Sequence, residues 1–156
     1  MKIYLATDHA GYELKNTLRD YLSGLGHEVV DKGPFAFDKE DDYPDFIRPC
    51  AEAVAADAGS FGVIFGGSGQ GEAMCANRVK GARAGVYYGD LSTQVDSDGK
   101  AIDMITSLRE HNNANILSIG ARFLDEEKVK AAIKKFIETP FPGGERHVRR
   151  ITKLDL

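Results

Sequence analysis

Cysteine is scarce in this chain: only Cys50 and Cys75 occur, and neither belongs to a CxxC or a Cys/His cluster. That leaves no sequence signal for a metal site or a disulfide scaffold, and it suits a reduced, cytoplasmic protein. Long apolar runs are missing too. Nothing approaches the roughly 18 residues of a membrane-spanning helix, and the N-terminus, Met1 to Asp8, turns polar too early for a secretion signal. Positive charge is not in excess. A net charge of −4 argues against nucleic-acid binding through bulk charge. There is no internal repeat and no low-complexity linker. The 156 residues, 42% hydrophobic and 28% charged, therefore suit one globular domain with a real core.

What the chain does have is the stretch Phe61-Gly-Val-Ile-Phe-Gly-Gly-Ser-Gly-Gln-Gly-Glu72. Phe61–Phe65 reads as a buried strand. It runs into Gly66, Gly67, Gly69 and Gly71, with Ser68 inside the turn and Glu72 closing it. Glycines let a backbone turn sharply and approach a ligand closely. Their N–H groups, with a helix N-terminus beside them, can face developing negative charge. Neither phosphate-loop signature fits. The dinucleotide fingerprint would need glycine where Glu72 stands, and the P-loop would need lysine there. The stretch thus offers a hydroxyl, several N–H donors and one carboxylate at the carboxyl end of a strand, where open α/β sheets bind ligands.

Apolar runs alternate with amphipathic segments along the chain. Strands are predicted at Lys2–Thr7, Glu28–Asp31, Phe61–Phe65, Arg83–Tyr88 and Ile116–Ile119. Helices are predicted at Tyr12–Leu25, with Leu14, Leu18, Leu22 and Leu25 on one face; at Phe46–Ala58, with Ile47, Ala51, Val54 and Ala58 in a stripe; and at Glu72–Arg78. Further helices are predicted around Ala101–Arg109 and through Val129, Ile133, Phe136 and Ile137. The fold class is α/β: a doubly wound, Rossmann-like, five-stranded parallel sheet with helices on both faces. Asp90–Gly99 fits this scheme badly and reads as a loop or frayed helix. The tail 140–156, with Arg146, His147, Arg149 and Arg150, has little core left to cover and is expected to contact a neighbouring subunit.

Other candidate groups are weaker singly. Asp8-His9-Ala10-Gly11 follows the first strand. His9 there could meet a phosphate or hydroxyl, or Asp8 could simply cap a helix. His111, in His111-Asn112-Asn113, could shuttle a proton or merely sit at a helix C-terminus. His27 reads as an exposed turn residue. Arg146 and Arg150, four apart, share a helical face and suit a phosphate, as they would a solvated tail. Arg122 stands just after a strand end, the better location. Asp42-Tyr43-Pro44-Asp45 could supply a Tyr43 wall or begin a helix. Together, an oxyanion cradle, a carboxylate base, arginines and a histidine suit proton transfer beside the carbonyl of a sugar phosphate.

The motifs in this order and spacing resemble the ribose-5-phosphate isomerase type B family, within the wider group that includes galactose-6-phosphate isomerase subunits. The motifs are Asp8-His9-Ala10-Gly11, Asp42-Tyr43-Pro44, Gly66 to Glu72, Ala76-Asn77 with Gly81-Ala82-Arg83-Ala84, Glu110-His111-Asn112-Asn113, Gly120-Ala121-Arg122 and Gly143 to His147. The resemblance covers nearly the whole chain. It implies a five-stranded doubly wound sheet, no metal or organic cofactor, and homodimers, sometimes paired into tetramers, with each site built from two subunits. It implies that His111 opens the sugar ring and that Asp8 and His9 contact substrate oxygens or phosphate. Ser68 and the amides of Gly67, Gly69 and Gly71 would stabilise the enediolate, and Asn112 would orient the substrate. Arg122, Arg146 and Arg150 would bind phosphate, part of this set from across the dimer interface.

Many relatives carry a catalytic cysteine where this chain has Gly66. A second subgroup carries Gly-Gly-Ser-Gly-x-Gly-Glu and uses the glutamate, which matches Glu72; Cys75, about a turn further on, reads as core. One departure stands out. Between Gly81 and His111 the chain is longer than such relatives by roughly a dozen residues, around Asp90–Asp103 with Asp96, Asp98, Gly99 and Lys100 at the tip, an insertion a surface loop absorbs at little cost. The expected reaction is interconversion of ribose 5-phosphate and ribulose 5-phosphate. The alternatives are a six-carbon substrate such as allose or galactose 6-phosphate, and a non-catalytic sugar-phosphate binding module.

Overall fold

The structure, a computed structural model, describes residues 1–89, 94–97 and 99–155. Five parallel strands form the sheet in the order β2-β1-β3-β7-β4. They are β1 (Lys2–Ala6), β2 (Glu28–Asp31), β3 (Phe61–Gly66), β4 (Ala84–Tyr87) and β7 (Ile116–Gly120). The last strand in sequence therefore lies inside the sheet, between β3 and β4. Pairing of Gly66 with Gly120 brings the carboxyl ends of β3 and β7 level. That register sets the glycine loop beside Arg122.

Right-handed crossovers decide which helix covers which face. Helices α1 (Tyr12–Gly24), α4 (Met104–Asn112) and α5 (Glu126–Glu138) cover one face; α2 (Pro44–Ala56) and α3 (Gln70–Ala76) cover the other. Alternation within the strands feeds both cores. Ile3, Leu5, Val63 and Phe65 point to the first, while Tyr4, Ala6 and Ile64 point to the second. The predicted α5 stripe is buried throughout: Val129, Ile133 and Phe136 at 0% exposure, Ile137 at 7%. Each such side chain contributes roughly 1.5–3 kcal/mol by leaving water. Cys75 packs with Cys50 in the second core, as a core residue should.

Several local expectations are corrected. Leu25 lies past the end of α1 and is 54% exposed, because the helix stops before Gly26, whose φ of +85° suits a helix stop. Pro44 and Asp45 do open α2, which begins two residues earlier than predicted and ends before Ala58. Within the Asp90–Gly99 segment, Gln94–Val95 (β5) pairs antiparallel with Ala101–Ile102 (β6), so this part of the insertion is a hairpin rather than a frayed helix. Asp90 and Asp98 lie outside the described residues. The following helix therefore starts at Met104, capped by Asp103, whose side chain accepts from Thr106 N at 3.0 Å. His27 is half-buried. None of the described helices is long and apolar enough to cross a membrane.

Two buried cations were not legible as such. Lys15 is 0% exposed on α1, and its Nζ donates to both Asp31 oxygens at 2.7 Å and to the Pro34 carbonyl at 2.8 Å. It ties α1 to β2 and to the start of the loop leading to Tyr43. Arg109, in the last turn of α4, lies over the Phe61 and Phe136 rings and donates to the Thr139 and Ala114 carbonyls and to Asn113 Oδ1. Removing one partner of such a group strands a buried charge, at a cost of about 3–5 kcal/mol.

Candidate active site

The carboxyl edge of the sheet holds a pocket of about 450 Å³ between the ends of β1, β3 and β7. Asp8, His9, Tyr43, Gly67, Ser68, Gly71, Glu72 and Arg122 line it, all of them expected from the sequence. Ala10 and Phe123 complete the wall.

The chain is shaped locally to bring these groups together. At the end of β1, Thr7 is fully buried and its Oγ1 donates to the Phe65 carbonyl at 3.0 Å, pinning β1 to β3. Asp8 caps the short turn that follows, accepting from Ala10 N at 2.9 Å. Asp8 is a cap, and His9 lines the pocket. Gly11 is obligatory, since a Cβ there would lie 2.4 Å from Thr7 Oγ1 and 2.6 Å from Phe65 Cβ.

The glycine loop has a stricter requirement. A Cβ on Gly66 would fall 2.1 Å from the carboxyl carbon of Glu72. The Glu72 side chain thus folds back over the start of its own loop and occupies the space that a side chain at position 66 would fill. Gly66 and Glu72 fit as a pair. Gly69, at φ +73°, is the N-cap of α3, and its carbonyl accepts from Ser118 Oγ at 2.7 Å. Gly69 supports the loop from beneath rather than lining the pocket. Ser68 Oγ accepts weakly from Gln70 N at 3.4 Å, which leaves its own proton for a ligand. A Cβ on Gly71 would meet the Tyr43 ring at 2.9 Å, so Tyr43 packs directly on the loop.

Electrostatics separate the two ends of the pocket. Glu72 is only 4% exposed. Burial raises its pKa above the usual carboxylate range; a hydrogen bond from its own backbone N–H opposes this, and the Asp8 charge adds to it. A carboxylate so placed is a stronger base than one in water. On the other side, the Arg122 guanidinium lies over Gly67, with its Cζ 3.1 Å from where a Cβ would stand. Arg122 N donates to the Gly67 carbonyl at 3.2 Å, holding this turn against the loop. His9 Nδ1 contacts Asp41 Oδ1 at 2.7 Å, and that hydrogen bond raises the His9 pKa against the opposing effect of burial.

The sequence reading missed Asp41. Its exposed neighbour Asp42 belongs to the quoted motif, and the one signal for Asp41 is adjacency to Tyr43-Pro44. Asp8, His9 and Asp41 hold ligand-type atoms within 4.8 Å of one another. A 2.7 Å Nδ1–Oδ1 distance is a direct hydrogen bond with a proton between the atoms.

The remaining expected residues are not in this pocket. α4 leads into the start of β7, so its last turn stands at the amino edge of the sheet, the end away from Glu72. His111 is there, half-buried, its ring stacked on His147 at 4.5 Å and 5°. Asn112 Nδ2 donates to the Ser107 carbonyl at 3.2 Å. Arg146 and Arg150 lie on α6 (Glu145–Ile151), which has no buried residue and packs against α4. One chain therefore presents its His111, Asn112, Arg146 and Arg150 as a second cluster, separate from its own pocket. The tail beyond α6 returns to its own chain, where the Asp155 carboxylate accepts from Gly81 N at 3.2 Å.

Comparison with known proteins agrees with this architecture. The family model described as Ribose/Galactose Isomerase matches residues 3–154. Ribose-5-phosphate isomerase B of Mycobacterium tuberculosis is 39% identical over 151 residues, covering 97% of this chain and 86% of that one. The crystal structure of ribose-5-phosphate isomerase B from Mycoplasma genitalium with bound ribulose-5-phosphate superposes with a TM-score of 0.84 at 34% identity, covering 98% of this chain and 93% of that one. The Thermotoga maritima ribose 5-phosphate isomerase gives a TM-score of 0.83 at 37% identity, covering 99% and 97%. On the strength of the full-length match, the shared fold and the glycine-loop pocket, this chain belongs to the ribose/galactose isomerase family.

Proposed function

We propose that the protein is an aldose–ketose isomerase interconverting ribose 5-phosphate and ribulose 5-phosphate through an enediolate, with Glu72 as the base. The observation that carries this reading is the Glu72 carboxylate, buried and folded over Gly66 at the wall of a pocket that also holds Ser68, Asp8, His9 and Arg122. The related enzymes named above act on or bind these pentose phosphates, which supports the choice of substrate.

In the open-chain aldose, Glu72 takes the proton from C2 as the electron pair moves to the carbonyl oxygen. The same carboxyl group returns that proton to C1, and a proton shifts between the two oxygens. Ser68 and the N–H groups of Gly67 and Gly71 are the donors for the oxygen that carries the charge, while Gly69 holds the loop from beneath. Asp8 and Tyr43 hold the sugar hydroxyls. Arg122 and His9 form the cationic pole for the phosphate.

The reading includes a homodimer. His111, which would open the sugar ring, Asn112, which would orient the substrate, and the phosphate-binding Arg146 and Arg150 reach a pocket only when supplied by a second copy. Their grouping on the α4–α6 edge, with α6 burying nothing in its own chain, supports this. The test is an assay of purified protein on ribose 5-phosphate with a chelator present. Turnover to ribulose 5-phosphate is expected. Turnover of allose 6-phosphate alone would move the substrate to six carbons, and binding without conversion would overturn the isomerase reading.

A further inference from the structure

One carboxylate behind the pocket wall, held against His9, has no part in the proposed proton transfer. Asp41 sits in the loop between β2 and α2, and its side chain is only 7% exposed. Oδ1 meets His9 twice, accepting from the backbone N at 3.1 Å and contacting ring Nδ1 at 2.7 Å. Oδ2 is buried with no hydrogen-bond partner. A charged oxygen left in that state costs stability. Such a cost is found at sites where function holds a group in place.

A carboxylate only accepts hydrogen bonds, so His9 Nδ1 must carry a proton. The ring orientation follows. With Nδ1 turned inward to Asp41, Nε2 is the nitrogen left for the pocket, and it has no protein partner among the described residues. The charged groups around the ring are Asp41, Asp8, whose Oδ2 is 3.9 Å from Nδ1, and Arg122, whose positive charge opposes protonation of His9. Without Asp41, His9 and Arg122 would be two cations in one pocket with Asp8 as the remaining counter-charge. With it, the imidazolium persists to higher pH, and its Nε2–H can donate to an anion.

We propose that Asp41 is a positioning residue for phosphate recognition: it fixes the His9 ring so that Nδ1–H points inward and Nε2–H points toward the phosphate held by Arg122. This rests on the reading of His9 and Arg122 as the phosphate pole. Asp41 touches no reacting atom. Its effect is carried wholly by the tautomer, orientation and charge of His9, as a carboxylate behind a histidine does at many functional sites.

The test is Asp41→Asn, which keeps the shape and an acceptor for His9 N but removes the charge. Two measurements are made across pH, with Asp41→Glu as the conservative control. The first is the NMR titration of the His9 ring with and without inorganic phosphate. The second is KM and kcat on ribose 5-phosphate. In Asp41→Asn the His9 titration is expected to move to lower pH. KM is expected to rise on the order of tenfold near pH 8.5, yet little near pH 6, where an imidazole keeps much of its charge without help. The kcat is expected to hold, and Asp41→Glu to restore most of the KM. An unchanged His9 titration, or a KM raised equally at every pH, overturns the proposal. A wild-type protein that turns over no sugar phosphate sinks the isomerase reading instead, and the titration against inorganic phosphate still decides the role of Asp41.

Discussion

At the carboxyl edge of the sheet, Glu72 is 4% exposed, its carboxyl group fills the space above Gly66, and Tyr43 is packed on Gly71. At the amino edge, Arg146 and Arg150 stand exposed on a seven-residue helix that buries nothing. On the proposed reading, the difference matches what each group would do. A base that moves a proton between adjacent carbons needs sub-ångström placement and a dry setting, and a strand–loop–helix with four glycines supplies both. A phosphate clamp acts mainly through charge and hydrogen bonds. Long arginines on a surface helix can supply that once a second copy brings them over the pocket.

The comparison predicts unequal sensitivity. Glu72→Gln should lower kcat by at least about 10²-fold, the lower range for losing a general base, with KM little changed. Steady-state kinetics on ribose 5-phosphate checks it. An active Glu72→Gln together with a dead Cys75→Ser would transfer the base to the thiol. That outcome runs against the structure, where Cys75 is buried and its pKa is raised by burial.

Gly66→Ala attacks the same edge through geometry alone. Gly66 is not in the left-handed region, so the backbone tolerates alanine, but the added methyl would displace the Glu72 carboxylate. A misplacement of that size should cost up to about 10²-fold in kcat, with the fold retained by circular dichroism. Full activity would mean that the carboxylate has no fixed position.

At the amino edge, Arg150→Ala should raise KM for ribose 5-phosphate about tenfold and leave kcat nearly constant, because phosphate is held in ground and transition states alike. Its melting temperature should not move, as expected of an exposed side chain. An equal loss on an unphosphorylated sugar would remove the phosphate role.

The smallest expected effect is on stability. Burial raises the Glu72 pKa, so the folded protein holds this proton more tightly than the unfolded chain does. Stability from this group is therefore complete at low pH. It falls as pH rises from the unfolded-state value toward the folded one, and the loss is full above that. At neutral pH Glu72→Gln should then melt a few degrees higher while being inactive, for a gain of about 1 kcal/mol. The acid limb of kcat/KM in the wild type should also lie above the ordinary glutamate value of about 4.3. A limb at or below that value would contradict the burial argument.

How much of this was legible in the sequence depended on whether a signal was local. The glycine loop, the Asp8 cap and the α5 stripe are written in consecutive or periodic residues, and the structure places them as read. Asp41 lies in a polar loop whose path is set by tertiary packing, including the buried Lys15 that holds Asp31 and the Pro34 carbonyl. No periodicity announces such a contact. Arg109 stands in the sequence only as the end of a predicted helical stretch, yet it is buried, its Nε donating to the Thr139 carbonyl at the end of α5. The β5–β6 hairpin consists of two-residue strands, too short for any pattern to emerge. The split of site residues between two edges was not a matter of spacing at all. It follows from α4 leading into the start of the parallel strand β7, which leaves the last turn of α4 and His111 at the amino edge.

The central claim is that the two edges form one site only across two copies, and mixing two inactive variants tests it most directly. Glu72→Gln spoils the carboxyl-edge half. Arg146→Ala with Arg150→Ala spoils the amino-edge half. In a two-fold dimer each site takes one edge from each copy. A mixed dimer then has one site with both defects and one with neither, so activity on ribose 5-phosphate should reappear after subunit exchange. No recovery after exchange verified by native mass spectrometry would put both edges in the same chain's site and contradict the account.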